Sequence, residues 1–532
     1  MKWTLLLATA LTAQEAHQHH HGGLGTVRFE TSCDSSVQAP FQRAVAMLHS
    51  FWYDEAEKAF RAIAATDPTC GMAYWGVAMS NYHPVWAPPT APELARGAEA
   101  AEKAVAAGAK TARERDYISA IAAFYKDSKT LAHRARSLAY EQAMEQVYRK
   151  HPADSEAAIF YALALLGTAP PTDKLYGNQK KAAAILNEVL PKNREHPGVA
   201  HYIIHSFDYP RLAELALPAA RSYAKIAPDS PHAIHMPSHI FIRLGLWDDS
   251  IQSNIASATS AKTHVQRLKP GAGSFDQLHA MDYLVYAYLQ QGRDRKAKQV
   301  YDEMLAIKTL DLENFAAAYA LAAIPARYAL ERREWTQAAG LQLHPAGFPW
   351  KNFRYAEAIV VFARGLGAAR SGDRAAAGRE VERLAAIRGE IAGASGYDWA
   401  SQVEVQRRTV EAWLAHAEGK SEQAVPLMRS AADLEDKIDK HPVTPGAVLP
   451  ARELLGELLL ETKRPTEALK ELEAALQESP NRFNTLHLAA RSARLLGRQE
   501  DAAGYYSKLI TLCSKADTTR PGLREAREFT RK

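Results

Sequence analysis

Along most of the chain, apolar residues return on a helical spacing and are broken at regular intervals by polar turns. Clear examples are YDEAEKAFRAIAATDP (Tyr53–Pro68), LWDDSIQSNIASA (Leu246–Ala258), QGRDRKAKQVYDEMLAI (Gln291–Ile307) and KRPTEALKELEAALQESP (Lys463–Pro480). SGDRAAAGREVERLAAI (Ser371–Ile387), EGKSEQAVPLMRSAADL (Glu418–Leu434) and LGRQEDAAGYYSKLI (Leu496–Ile510) follow the same plan. In each, a turn with Gly or a polar residue precedes a small residue, and a large apolar residue stands four positions on. Four residues is just over one helical turn, so the two share a face. Several segments close on Asp-Pro or Ser-Pro, and each turn follows another helical stretch, such as Pro450–Leu460 or Asn484–Leu496. The recurring unit is therefore helix-turn-helix, and the expected fold class is all-α.

This unit resembles the tetratricopeptide repeat, whose period is about 34 residues. The match is clean at Val37–Met79 and Val448–Leu512, recognisable from His196 to Ile307, and loose from Tyr82 to Ala153, where HPVWAPPTAP intervenes. The resemblance implies a superhelical solenoid, because a hairpin that cannot bury both faces alone must stack on its neighbours. It also implies a concave groove, lined by the first helix of each unit, that takes a peptide, a protein or a small ligand. Residues 33–153 are expected to form N-terminal repeats with an insertion, 154–311 central repeats, 312–447 degenerate repeats, and 448–532 C-terminal repeats with a tail. In this frame Cys33 and Cys70 precede the first helices of adjacent units, which favours a Cys33–Cys70 disulfide with Cys513 free. Three reduced, buried thiols are the alternative.

The first residues change the picture of where the protein works. Met1-Lys2-Trp3-Thr4 and the apolar run Leu5–Leu11 have the order of a secretory signal peptide over residues 1–16, which places the mature protein in the periplasm or outside the cell. Residues 17–32, opening with His17-Gln18-His19-His20-His21, read as a flexible His-rich segment. No later stretch is long and apolar enough to span a bilayer. With 47% hydrophobic residues the chain is not disordered, and 65 basic against 60 acidic side chains give no support for nucleic-acid binding.

One segment departs from a plain scaffold. His201 and His205 lie four residues apart, as do His235 and His239, and the second pair follows the first by 34 residues, one repeat. Laid over the family pattern, all four fall on groove-facing positions with His232, and the next unit adds His279 and Asp282, with Tyr286 a turn further. Histidines and a carboxylate on neighbouring helices are the ligand set of a transition metal, zinc or copper ahead of iron or manganese. Two other readings stay open: a polar, aromatic groove that hydrogen-bonds a partner, or protonated imidazoles gripping an anion. Asp208 and Asp282 are candidate bases, and Trp75 and His83 candidate groove residues, with core packing the competing reading for the last two. Pro237 must either start or kink the second helix.

Motifs for other chemistries are missing from the sequence. There is no Gly-x₄-Gly-Lys-Ser/Thr loop, hence no nucleotide is expected, and no Gly-x-Ser-x-Gly elbow. Neither His pair encloses the Glu of a His-Glu-x₂-His protease: Tyr202-Ile203-Ile204 and Met236-Pro237-Ser238 stand between them. The reading is an exported scaffold that binds a ligand in its groove beside a His-cluster metal site. A metalloenzyme (hydrolase or oxidoreductase) using that cluster, and a metal-free interaction scaffold, are the alternatives.

Overall fold

The computed structural model describes residues 23–531 apart from Trp86 and Ser395. The signal-peptide expectation and His17–His21 lie outside the described residues. Among the described residues the regular elements are helices, and the one strand-like feature is an isolated bridge between Gly273 and Leu310. Helices follow one another as packed hairpins, in a tetratricopeptide-like array. Among the described residues no helix is long and apolar enough to cross a membrane.

The turn of the repeat has a definite geometry. Two residues before the second helix of a unit begins, the backbone enters the left-handed region: Phe51, Gly245, Gly292, Arg333, Gly372, Gly419, Lys463 and Gly497 all have positive φ. The following residue then donates its N–H to the carbonyl five positions back, as from Trp52 to Met47, Leu246 to Phe241, Arg293 to Tyr288 and Arg498 to Ala493. This closes the first helix with a Schellman-type cap. Glycine takes the position without penalty, whereas Phe51, Arg333 and Lys463 hold it against a cost of about 1–2 kcal/mol each.

Residues 23–32, expected to be flexible, are instead fixed in place. Leu24, Val27 and Phe29 are buried, Phe29 sits among Phe41, Trp75 and Tyr117, and the backbone bonds Thr26 N to Glu195 O and Asp229 N to Gly23 O, both at 2.8 Å. Three large apolar side chains on alternate or near-alternate positions outweigh the Gly-rich start of the segment. Cys33 is joined to Cys70, with Cα atoms 5.0 Å apart, and Cys513 is a buried free thiol.

The array also folds back on itself. Trp247 Nε1 donates to Asn481 O at 2.8 Å, Arg520 pairs with Asp294, and Arg482 bridges Glu331 and Glu453 with no solvent exposure. Between these anchors the non-helical stretch 436–450 crosses the face of the central first helices. Tyr283 donates to Val443 O at 2.9 Å, Tyr319 to Gly446 O at 2.9 Å, and Arg327 to Gly446 O and Ala447 O at 2.7 and 2.9 Å. The chain's own backbone thus lies along the groove over the central repeats. Extended backbone carbonyls satisfy buried Tyr and Arg donors as a bound peptide would.

Candidate functional site

Four helices bring the histidines together. Pro197–Phe207 carries His201 and His205; Pro231–His235 carries His232 and His235; Pro237–Arg243 carries His239; Phe275–Gln290 carries His279. Ser230 caps the second of these and Ser274 the last, each accepting a backbone N–H in the first turn. Pro237 opens the third of these helices at its first position, with Met236 between it and the end of the second. Met236 keeps helical angles, and His239 N bonds Met236 O three residues back, so the ladder closes around the missing amide and His239 stays over His235.

All six imidazoles are buried, His205 being the most exposed at 8%. They form two sets of three. One ligand atom each from His201, His205 and His232 lie within 4.8 Å of one another, and the same holds for His235, His239 and His279. The pairs face each other through their outer nitrogens, with His201 Nε2 and His205 Nε2 3.1 Å apart and His235 Nε2 and His239 Nε2 3.0 Å apart.

The protonation pattern of the second pair follows from its surroundings. Asn254 Nδ2 donates to Ser250 O at 2.8 Å, which turns Asn254 Oδ1 toward His235, and His235 Nδ1–H donates to it at 2.7 Å. His239 Nδ1–H donates to Asp208 Oδ2 at 3.0 Å. Each neutral ring then carries only a lone pair on Nε2, so two acceptors point at each other across 3.0 Å. The Tyr283 hydroxyl lies 3.2 Å from His239 Nε2 and 2.9 Å from Val443 O, and its single proton serves at most one of the two nitrogens. A proton on His239 would resolve the contact, but burial pushes its pKa down and Lys440 and Arg243 add to that, against the pull of Asp208. Burial, with neighbouring histidines, also holds His235, His205, His232 and His279 well below the usual imidazole value. In the first pair His201 Nδ1–H donates to His49 O at 2.7 Å, which likewise leaves its Nε2 lone pair turned to His205.

Asp208 is an orienting residue with no oxygen to spare. Oδ1 accepts from Arg243 Nε at 2.9 Å, and Oδ2 accepts from Lys440 at 2.5 Å as well as from His239. Burial alone would raise its pKa, but Lys440 and Arg243 outweigh burial and keep the carboxylate ionised. Lys440 is itself driven down to about 8 by burial.

The remaining expected residues lie elsewhere. Asp282 does not join the histidines: its Oδ1 accepts from Arg327 Nε at 3.0 Å, because the next first helix places a fully buried guanidinium against it. Tyr286 faces that guanidinium, accepts from Arg482 at 2.8 Å and lines the cavity beside the site. Trp75 is not a groove residue but core, enclosed by Phe29, Phe41, Phe60 and Phe160. His83 bonds Ser80 O at 2.8 Å and packs on Tyr53, which stacks on Phe51, so two aromatic rings separate it from the histidines. Three residues that the sequence reading passed over belong to the site. Phe51 covers His201 at 4.3 Å and His205 at 5.5 Å between ring centroids, Tyr283 packs on His235 at 4.5 Å, and Asn254 sets the His235 tautomer. Tyr283 alone had a signal, standing four residues after His279 on the same face. Beside the site, a cavity of about 370 Å³ is lined by Arg243, Lys440, His441, Tyr319, Tyr397 and Trp399 among others.

No family model matches this chain, and no curated protein matches it. Solved structures that align with it include the APC/C hetero-tetramer Cut9-Hcn1, at 11% identity over 92% of this chain and 89% of that one, with a TM-score of 0.32. The human IFIT1 dimer with m7Gppp-AAAA aligns at 13% identity over 83% and 90%, with a TM-score of 0.35. Naa15/Naa10 bound to HypK-THB aligns at 14% identity over 93% and 74%, with a TM-score of 0.24. Scores at this level bear on neither fold nor function, and the architecture rests on the helices and turns themselves.

Proposed function

We propose that this protein is a helical-repeat scaffold that holds a transition-metal ion at its buried histidines and offers it to a small ligand entering from the adjacent cavity. The observation that carries the reading is the His235–His239 contact: two Nε2 lone pairs, each fixed by an acceptor on the far nitrogen, 3.0 Å apart. Two ligands about 2.1 Å from one ion stand about 3.0–3.4 Å apart at right-angled or tetrahedral geometry, so a single cation between them turns the repulsion into two bonds. Acceptors behind the ligating rings are the usual support of such a centre. The Cys33–Cys70 bridge and the apolar N-terminal run support an exported, oxidising setting, the periplasm or outside the cell.

Catalysis at this centre is the second reading, and Tyr283 favours it. Its hydroxyl, 3.2 Å from His239 Nε2, lies beside any ion bound there. The test is metal analysis of protein made without an affinity tag and with His17–His21 replaced. Stoichiometric zinc or copper that survives desalting, and that is lost in His235→Ala, is expected. A folded protein that retains no metal after loading would sink the reading.

A further inference from the structure

The six histidines repeat a single construction. An i,i+4 pair on the first helix of one unit is completed by one histidine from the unit that follows: His201 and His205 by His232, then His235 and His239 by His279. In both sets the paired Nε2 atoms face each other at ligand-to-ligand distance, 3.1 and 3.0 Å. In both, a fixed acceptor holds the far nitrogen of at least one ring: His49 O for His201, Asn254 and Asp208 for His235 and His239. The sets are also contiguous. Ring centroids of His205 and His239 are 6.2 Å apart and those of His232 and His235 6.1 Å, no farther than His239 from His279 within one set at 6.3 Å.

Resting on the metal reading above, we infer that the six-histidine cluster is a dinuclear centre: two late first-row ions side by side, each held by three imidazoles, copper preferred over zinc. The ligand chemistry selects the metal. Asp208 is spent on Lys440, Arg243 and His239, Asp282 gives Oδ1 to Arg327, and the grouped ligand atoms of both sets are imidazole nitrogens alone, so neither set has the oxygen ligands that magnesium, calcium or manganese require. Imidazole-only sites suit copper and zinc, and the order of divalent affinities peaks at copper. Three protein ligands leave a coordination position open on each ion. Phe51 packs on the first set and Tyr283 on the second, so a small bridging anion or oxygen-containing molecule at the open positions would lie beside aromatic rings.

The test counts ions. The chain with His17–His21 replaced is loaded with Cu(II) or zinc, desalted against a weak chelator, and assayed by mass spectrometry alongside His205→Ala and His239→Ala. Circular dichroism and melting of each metal-free protein verify the fold. Two ions per wild-type chain and one in each variant are expected. One ion in wild type, kept by His205→Ala and lost in His239→Ala, overturns the dinuclear assignment while leaving a single centre standing; no ion in folded wild type overturns both. Should a variant misfold, the wild-type copper titration followed by electron paramagnetic resonance decides. Loss of spin intensity and a broadened signal at the second equivalent are expected, and two equivalents of isolated Cu(II) signal overturn the side-by-side placement.

Discussion

Replacing Asn254 by Leu together with Ser238 by Ala should weaken metal binding without touching a ligand. Asn254 Oδ1 accepts the Nδ1–H of His235 at 2.7 Å, and Ser238 Oγ lies 3.4 Å from the same nitrogen, so removing Asn254 alone would leave a weaker substitute. With both gone, the proton of His235 is free to move to Nε2 and donate to His239 Nε2, 3.0 Å away. The metal-free protein then relaxes into an ordinary imidazole–imidazole hydrogen bond, which metal must break. Loss of an acceptor behind a ligating histidine costs about 10–100-fold in affinity, or roughly 1.4–2.7 kcal/mol. Leu fills the volume of Asn, and the Ser250 carbonyl that Asn254 Nδ2 contacts remains a helix acceptor, so the fold should hold. The assay is a competition titration with a chromophoric chelator on wild type, the double variant and His235→Ala. The reasoning predicts an intermediate affinity for the double variant. Wild-type affinity in that variant, with binding abolished in His235→Ala, would refute the claim that a fixed tautomer prepares the site.

Three further outcomes follow from the fold. Phe51→Gly should be more stable than Phe51→Ala by about 1 kcal/mol in urea unfolding, the reverse of the usual order, because φ there is 54° and only Gly adopts it freely; equal stabilities would remove the strain argument. Arg482→Met should cost about 3–5 kcal/mol, since it removes the cation buried between Glu331 and Glu453 and leaves Glu453 only Arg333 as a cationic partner, whereas Arg464→Ala at an exposed pair should cost under about 1 kcal/mol; similar losses for both would contradict the burial argument. Burial would raise the Asp294 pKa, but hydrogen bonding and charge from Arg520 prevail and lower it below 3.8. A depressed folded pKa stabilises above the unfolded value and is lost as pH falls through the folded one, so the Arg520 clasp should weaken below about pH 3.8. Acid unfolding of Asp294→Asn should lack that component, and an unchanged acid limb would count against the clasp.

How much of this was legible in the sequence depends on the range of the interaction. The repeat was, because its period is written in local choices: the small residue after the turn, the apolar one four on, and Gly at positions 245, 292, 372, 419 and 497, where the backbone must turn left-handed. The histidine register was legible for the same reason, since two i,i+4 pairs one repeat apart must present their rings to the same side of stacked helices. What the sequence could not show at those positions was which groups stand behind the rings. Asn254 lies on the second helix of its unit, and His49 contributes only a backbone oxygen from 152 residues away. Neither has a spacing that connects it to the site.

Asp282, expected among the metal ligands, stands apart from the histidines for a physical reason. It occupies the face that the repeat register assigns it, but a buried carboxylate takes the strongest partner within reach, and Arg327 from the next first helix supplies it at 3.0 Å. Arg327 is fully buried, and burial by itself would disfavour its charge, so the guanidinium in turn requires Asp282. Its other two nitrogens bond the carbonyls of Gly446 and Ala447. That pairing draws the 436–450 segment across the groove, which carries Lys440 onto Asp208 at 2.5 Å and so ties the ionised state of Asp208, and the tautomer of His239, to a segment more than 200 residues distant in sequence. The buried Arg327 thus meets backbone acceptors across the groove, and the crossing segment that supplies them also lines, with Lys440, His441 and Gly446, the cavity of about 370 Å³.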